Sequence, residues 1–131
     1  MIVLDTHVLV WWVSGAQRLS VRAKRSIDRE VNRGPVVVST ISVLEIATAV
    51  RRERLTLGVS LHVWLADLMT LPELGFEPVS VAIAEMAGSM RDAMHSDPAD
   101  RIIVATAKLL GARLVTADDR LRSTPEIATI W

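Results

Sequence analysis

Three short runs constrain this chain more than anything else in it. Ile2-Val3-Leu4, Val36-Val37-Val38 and the Leu114-Val115 centre of the strand Arg113-Leu114-Val115-Thr116 are continuously apolar and bounded by polar or turn-forming residues. A strand with one wet face alternates apolar and polar residues; these runs do not, so each reads as a strand buried on both faces. Helix-compatible stretches separate them. Thr6 to Val13 is closed by Ser14-Gly15, and Ser20 opens a helix to about Asn32 with Ala23, Ile27 and Val31 at helical spacing. Gly34-Pro35 is a stop before the second strand. Ser39 or Thr40 caps a helix over about 41–52, Ser60 one ending near Leu71, and Ser80 one over about 81–90. A polar stretch, Asp92 to Pro98, precedes a helix from about Ala99 to Leu110, which Gly111 ends. Gly75 to Val79 is a weaker strand that Pro78 either removes or places at an edge, and Ala128 to Trp131 adds a short fifth. Strands alternating with helices imply a parallel sheet covered on both faces, an α/β sandwich of one domain over 1–131, with its site at the carboxyl ends of the strands.

Composition narrows the function classes. There is no cysteine, which excludes a disulfide frame and a thiolate metal site. No apolar run reaches the roughly 18 residues that span a bilayer, and Met-Ile-Val-Leu-Asp lacks a basic secretory start, so cytoplasmic residence is the expectation. The 15 basic and 15 acidic residues cancel, an unusual balance for a free-standing nucleic-acid binder. The charge is locally uneven, however. Arg18, Arg22, Lys24, Arg25, Arg29 and Arg33 crowd one stretch and Arg51, Arg52 and Arg54 another, either as solvated helix faces or as phosphate contacts.

Four carboxylates occupy costly positions. Asp5 ends the first strand, Glu45 sits in the apolar helix Ile-Ser-Val-Leu-Glu-Ile-Ala, Asp100 opens a helix before Arg101 and Ile-Ile-Val-Ala, and Asp118 follows Leu-Val-Thr-Ala. Taken singly, Asp5 and Asp100 read equally as helix caps or dipole partners, Asp118 reads as the cap of a short helix over 119–123, and Glu45 as the partner of an arginine such as Arg52. Taken together they lie at one edge of the proposed sheet. Carboxylates converging there repel one another, and a hard divalent cation such as Mg²⁺ or Mn²⁺ removes the repulsion. Such a centre suits phosphodiester hydrolysis by a metal-activated water.

The same residues carry a family likeness. Asp5-Thr6-His7-Val8-Leu9-Val10-Trp11-Trp12 resembles the opening of VapC-type toxins, and Ile41-Ser42-Val43-Leu44-Glu45-Ile46-Ala47 their second acidic motif. His95 to Ala107, with Asp97-Pro98-Ala99-Asp100-Arg101, is similar to the third, and Leu114-Val115-Thr116-Ala117-Asp118-Asp119 to the fourth. The resemblance to these PIN-domain ribonucleases implies a PIN-like three-layer α/β/α sandwich with a parallel sheet of four or five strands. It implies a Mg²⁺-dependent endoribonuclease, with Mn²⁺ as substitute, acting on RNA as the toxin of a VapBC-type toxin–antitoxin pair. It further implies a VapB-type antitoxin partner, a homodimer, and contact with DNA only through the antitoxin. By motif position Asp5, Glu45 and Asp100 are the main metal-binding acids and Asp118 the fourth. Asp97 and Asp119 are neighbours of the principal acids, and Thr6 and Thr116 match hydroxyl positions that help hold water or metal.

Other residues carry less. Arg101 either contacts phosphate or pairs with Asp97. His7 and His95 flank acidic motifs, as ligands or as supporting or surface side chains, and His62 reads as structural. Trp11 and Trp12 face different sides of one helix, so one is expected in the core. Trp131 suggests that the last segment packs back on the domain. The apolar helices near 41–50 and 61–71 suggest a dimer interface. A catalytically silent binding module on the same scaffold, or another metal-dependent phosphohydrolase, are the alternatives.

Overall fold

The computed structural model describes residues 1–15, 17–91 and 97–131. Along the chain run β1 (Ile2–Leu4), α1 (Thr6–Ser14), α2 (Val21–Val31), β2 (Val36–Ser39), α3 (Ile41–Arg51), α4 (Leu61–Met69), β3 (Leu74–Glu77), α5 (Val81–Ser89), α6 (Pro98–Leu109), β4 (Arg113–Val115), α7 (Asp119–Ser123) and β5 (Thr129–Ile130). The five strands form one sheet in the order β3-β2-β1-β4-β5, and every pairing is parallel.

The pleat divides the apolar runs between two cores. Ile2 and Leu4 of β1, Val36 and Val38 of β2, and Val115 of β4 face one side, with Val8 and Leu9 of α1, Ile27 of α2, Ile46 of α3 and Leu68 of α4. Val3 and Leu114 face the other, with Ile83 and Ala87 of α5, Ile103, Val104 and Ala107 of α6, and Leu121 of α7. Consecutive residues of one strand thus belong to opposite layers, which is why the runs show no alternation.

Local chemistry sets the boundaries. The hydroxyls of Ser20, Ser60 and Ser80 accept the backbone N–H of Ala23, Val63 and Ile83, each capping its helix as expected. Gly15 ends α1 in the left-handed region, with φ of 68°, and donates its N–H to the last carbonyls. Ahead of α3 the Ser39 hydroxyl accepts the Ile41 N–H, whereas the Thr40 hydroxyl reaches away to the Val79 N–H. The third strand lies at an edge, as Pro78 requires, but it starts one residue earlier and stops at Glu77. His95 and most of the polar stretch before α6 lie outside the described residues. Among the described residues no helix is long and apolar enough to cross a membrane.

β1 sits between β2 and β4, so chain direction across the sheet reverses between β1 and β4. Sheets of this kind open a crevice beyond the carboxyl ends at that switch point. Leu114 is fully buried where β4 supports it. Leu114→Ala is expected to lower unfolding stability by roughly 2–5 kcal/mol, read from the urea midpoint at unchanged slope. A loss under about 0.5 kcal/mol, the range of surface substitutions, contradicts this packing.

Candidate metal centre

Asp5 leaves β1 at the switch point with its backbone N–H bound to Val115 O across the sheet at 3.0 Å. Its side chain caps α1, Oδ1 accepting the Thr6 N–H at 2.8 Å. Oδ2 accepts the Thr116 hydroxyl at 2.6 Å, and the same Thr116 oxygen accepts the Asp118 N–H at 3.0 Å. One buried hydroxyl therefore ties the ends of β1 and β4 together. His7 closes this side. Its Nε2 accepts the Ala117 N–H at 3.1 Å, so the ring proton resides on Nδ1, 3.5 Å from Asp5 Oδ2. Both ring nitrogens are thereby turned to the protein.

Glu45 enters from α3, where Ser42 precedes it by three residues on the same helix face. Glu45 Oε1 accepts the Thr6 hydroxyl at 2.5 Å, which leaves the Ser42 hydroxyl, 2.8 Å from Thr6 Oγ1, as donor to Thr6. Asp97 caps α6 through the Ala99 N–H at 2.9 Å, and Asp100 lies in the first turn of that helix. Asp118 caps α7 through the Arg120 N–H at 2.8 Å. Asp5, Asp97 and Asp118 cap helices, and together with Glu45 and Asp100 they line one cleft. The helix starts meet at this crevice, where their dipoles favour negative charge.

The result is a cleft of about 420 Å³ whose wall includes Asp5, Glu45, Asp97, Asp100 and Asp118. Oxygens of Glu45, Asp97 and Asp100 lie within 4.8 Å of one another. Opposite oxygens on Mg²⁺ are about 4.2 Å apart and those on Ca²⁺ about 4.8 Å, so a hard divalent ion fits after small side-chain shifts. Electrostatics agree. Burial pushes the Asp100 carboxyl from 3.8 up to about 7, helped by Asp5, Asp97, Glu45 and Asp118 in that order. Glu45 is raised too, first by burial and then by Asp5 and Asp97, against the lowering hydrogen bond from Thr6. These acids feel one another's charge, and the donor set is all oxygen, as a hard cation requires.

The structure also sorts the weaker candidates. Asp97, expected as a neighbour of the principal acid, contributes an oxygen to the tightest cluster. Asp119 lies outside the cleft wall and pairs with Arg122 at 3.4 Å. Arg101 is also absent from the wall; its guanidinium donates to Ala87 O at 3.0 Å and to Met90 O, fastening the end of α5 to α6. Trp12 packs on the core, whereas Trp11 lines the cleft. Sequence reasoning misses Ser42 and Arg120. The spacing of Ser42 from Glu45 is a usable signal, but nothing local marks Arg120, which lines the cleft with Nε 3.8 Å from Asp118.

Comparison with known proteins gives consistent matches. The model of the PIN domain matches residues 2–127. Ribonuclease VapC22 of Mycobacterium tuberculosis is 37% identical over 133 residues, covering 99% of this chain and 98% of that protein. The crystal structure of FitAcB from Neisseria gonorrhoeae superposes with a TM-score of 0.70 at 24% identity, covering 98% of this chain and 96% of the other. VapBC2 from Rickettsia felis, bound to a DNA fragment from its promoter, superposes with a TM-score of 0.71 at 16% identity, covering 98% and 97%. At such identities the two solved structures speak for the α/β fold alone.

The raised Asp100 makes a pH prediction. Between its ordinary value of 3.8 and about 7 the folded chain holds a proton that the unfolded chain releases. Its contribution to stability is full below the lower value and is lost as pH rises through the upper one. In EDTA the melting temperature should therefore fall between about pH 4 and about pH 7, and Asp100→Asn should flatten that fall. Mn²⁺ should restore stability more at the higher pH. Parallel wild-type and Asn curves contradict the assignment.

Proposed function

The chain belongs to the PIN-domain family, and we propose that it is a Mg²⁺-dependent endoribonuclease, with Mn²⁺ as substitute, acting as the toxin of a VapBC-type pair. The observation that carries this reading is the convergence of Asp5, Glu45, Asp97, Asp100 and Asp118, from segments far apart in the chain, on one cleft. The name of the 37% identical relative, Ribonuclease VapC22, supports RNA as the substrate class.

In this mechanism Asp5, Glu45 and Asp100, aided by Asp118, would hold the cation, and the closeness of an Asp97 oxygen to those of Glu45 and Asp100 supports adding Asp97 to the set. When bound, the cation supplies an activated water and stabilises charge on the phosphoryl oxygens. The chain fixes the carboxylates. Thr116 donates to Asp5 Oδ2 with His7 Nδ1 3.5 Å from the same oxygen, while Thr6, itself accepting from Ser42, donates to Glu45 Oε1. No protein nucleophile is required, in keeping with a chain free of cysteine.

The partner proposals rest on other features. A VapB-type antitoxin is supported by the VapBC2 complex, and DNA would then be reached only through that antitoxin. A homodimer is supported by apolar side chains left exposed on α3 and α4, Leu44 at 62% and Met69 at 74%. A monomer in light scattering at micromolar concentration removes the dimer proposal.

Asp5→Asn should lower kcat/KM on RNA by more than about 100-fold with the fold intact by circular dichroism, since losing even a supporting partner of a metal ligand costs about 10–100-fold. Thr116→Val, which removes only the hydroxyl behind Asp5, should fall within that 10–100-fold range. Cleavage by Asp5→Asn at the wild-type rate ends this mechanism. Side-by-side assay on RNA, DNA and small phosphate esters separates it from another phosphohydrolase, and absence of any Mn²⁺ binding heat favours a silent module.

A further inference from the structure

A cleft walled by five carboxylates repels the polyanion it is meant to cut, so a long substrate needs cationic and stacking contacts beyond the cleft. The structure supplies them on one side. Trp11 stands in the cleft wall, with the His7 ring edge-on at 4.9 Å. The Trp131 ring lies 5.8 Å from Trp11 at an interplanar angle of 50°, and the Arg18 guanidinium stands over Trp11 at 5.7 Å. Trp131 in turn walls a second recess of about 370 Å³ that also contains Arg22, Arg122, Asp119, Ser123 and Thr129. Its lining is polar, and its two arginines outnumber the single acid, Asp119, which already pairs with Arg122. The two half-buried indoles thus join an anion-repelling cavity to a cation-bearing one.

We propose that Trp11, Trp131, Arg18, Arg22 and Arg122 form a track for single-stranded RNA flanking the scissile phosphate, with a backbone phosphate in the Arg22–Arg122 recess and a base on the Trp131 indole. The proposal rests on the ribonuclease reading and deepens it by naming the side chains outside the cleft that would hold the substrate strand. A single strand is required because a duplex hides its base faces, whereas an unstacked base offers one to an indole and an arginine. Two tilted rings at this separation provide successive, non-coplanar faces, which suits a flexible strand rather than a rigid helix.

The track is tested by fluorescence anisotropy with a fluorescein-labelled mixed-sequence RNA of about 12 nucleotides, single-stranded or annealed to its complement, bound to Asp5→Asn protein in Mg²⁺. The single strand should bind more tightly than the duplex and quench tryptophan emission. Adding Arg22→Glu with Arg122→Glu should weaken single-strand binding about tenfold and lower the slope of log K against log salt by about 0.7 for each phosphate no longer neutralised. Trp131→Leu should weaken binding by a similar factor at unchanged salt slope, and Trp131→Phe should recover most of it. A merely structural role would not separate the two slopes. In the otherwise wild-type chain, the arginine pair should raise KM for the long RNA and leave kcat unchanged. Normal RNA cleavage with affinity and slope unmoved by all these variants overturns the track and leaves the nuclease reading standing. Track-dependent binding without any wild-type cleavage overturns the nuclease reading instead. Variants that leave RNA binding intact but release a bound protein show a protein-docking face and overturn the proposal.

Discussion

The parallel pairing of β1 with β4 is the constraint on which the rest depends. It sets Leu4 beside Val115, so the next residue of each strand, Asp5 and Thr116, emerges at the same edge of the sheet. The Thr116 hydroxyl then bridges the Asp5 carboxylate and the Asp118 amide. A slip of one residue would turn every side chain of β4 to the opposite layer. Leu114 would leave the core formed with α5 and α6, and the hydroxyl would leave the carboxylate. Register, core and site are one decision.

Around that point the fold reuses a single device. Asp5, Asp97 and Asp118 each cap a helix and each line the cleft. A capping carboxylate is held by backbone N–H groups at its own helix start, so little side-chain freedom remains to be lost when charge is gathered. Glu45 lacks that option in mid-helix and is steadied by hydroxyls instead. Repulsion is not abolished by these contacts: after burial, the charges of Asp5, Asp97, Glu45 and Asp118 raise the Asp100 carboxyl further. Gathered negative charge of this kind is what a hard cation would offset.

The balance of charge across the surface follows from the same arrangement. Acids occupy the cleft, while Arg22 of α2 and Arg122 of α7 line the recess beside it that Trp131 walls. A net charge of zero therefore conceals two neighbouring regions of opposite sign. Averages over a chain say little about what a local surface attracts, because screening confines each charge to about 8 Å at physiological salt.

Strands, helix starts and the acidic positions are legible in the sequence because each is a local matter. A strand buried on both faces must be apolar throughout, and serines at 20, 60 and 80 can satisfy a free N–H only a few residues away. What stays hidden depends on partners distant in sequence. Arg101 reads locally as a phosphate or Asp97 contact, yet its guanidinium meets carbonyls on α5. Arg120 and Asp97 gain their places only when α6 and α7 are brought to the crevice, and Trp11 faces the cleft while Trp12 joins the core. The sequence by itself determined which segments become strands and helices and where charge is held at their ends. Only the tertiary structure decided which of those ends meet, because that choice is made by burying two apolar faces of one sheet at once, and no short stretch of chain contains it.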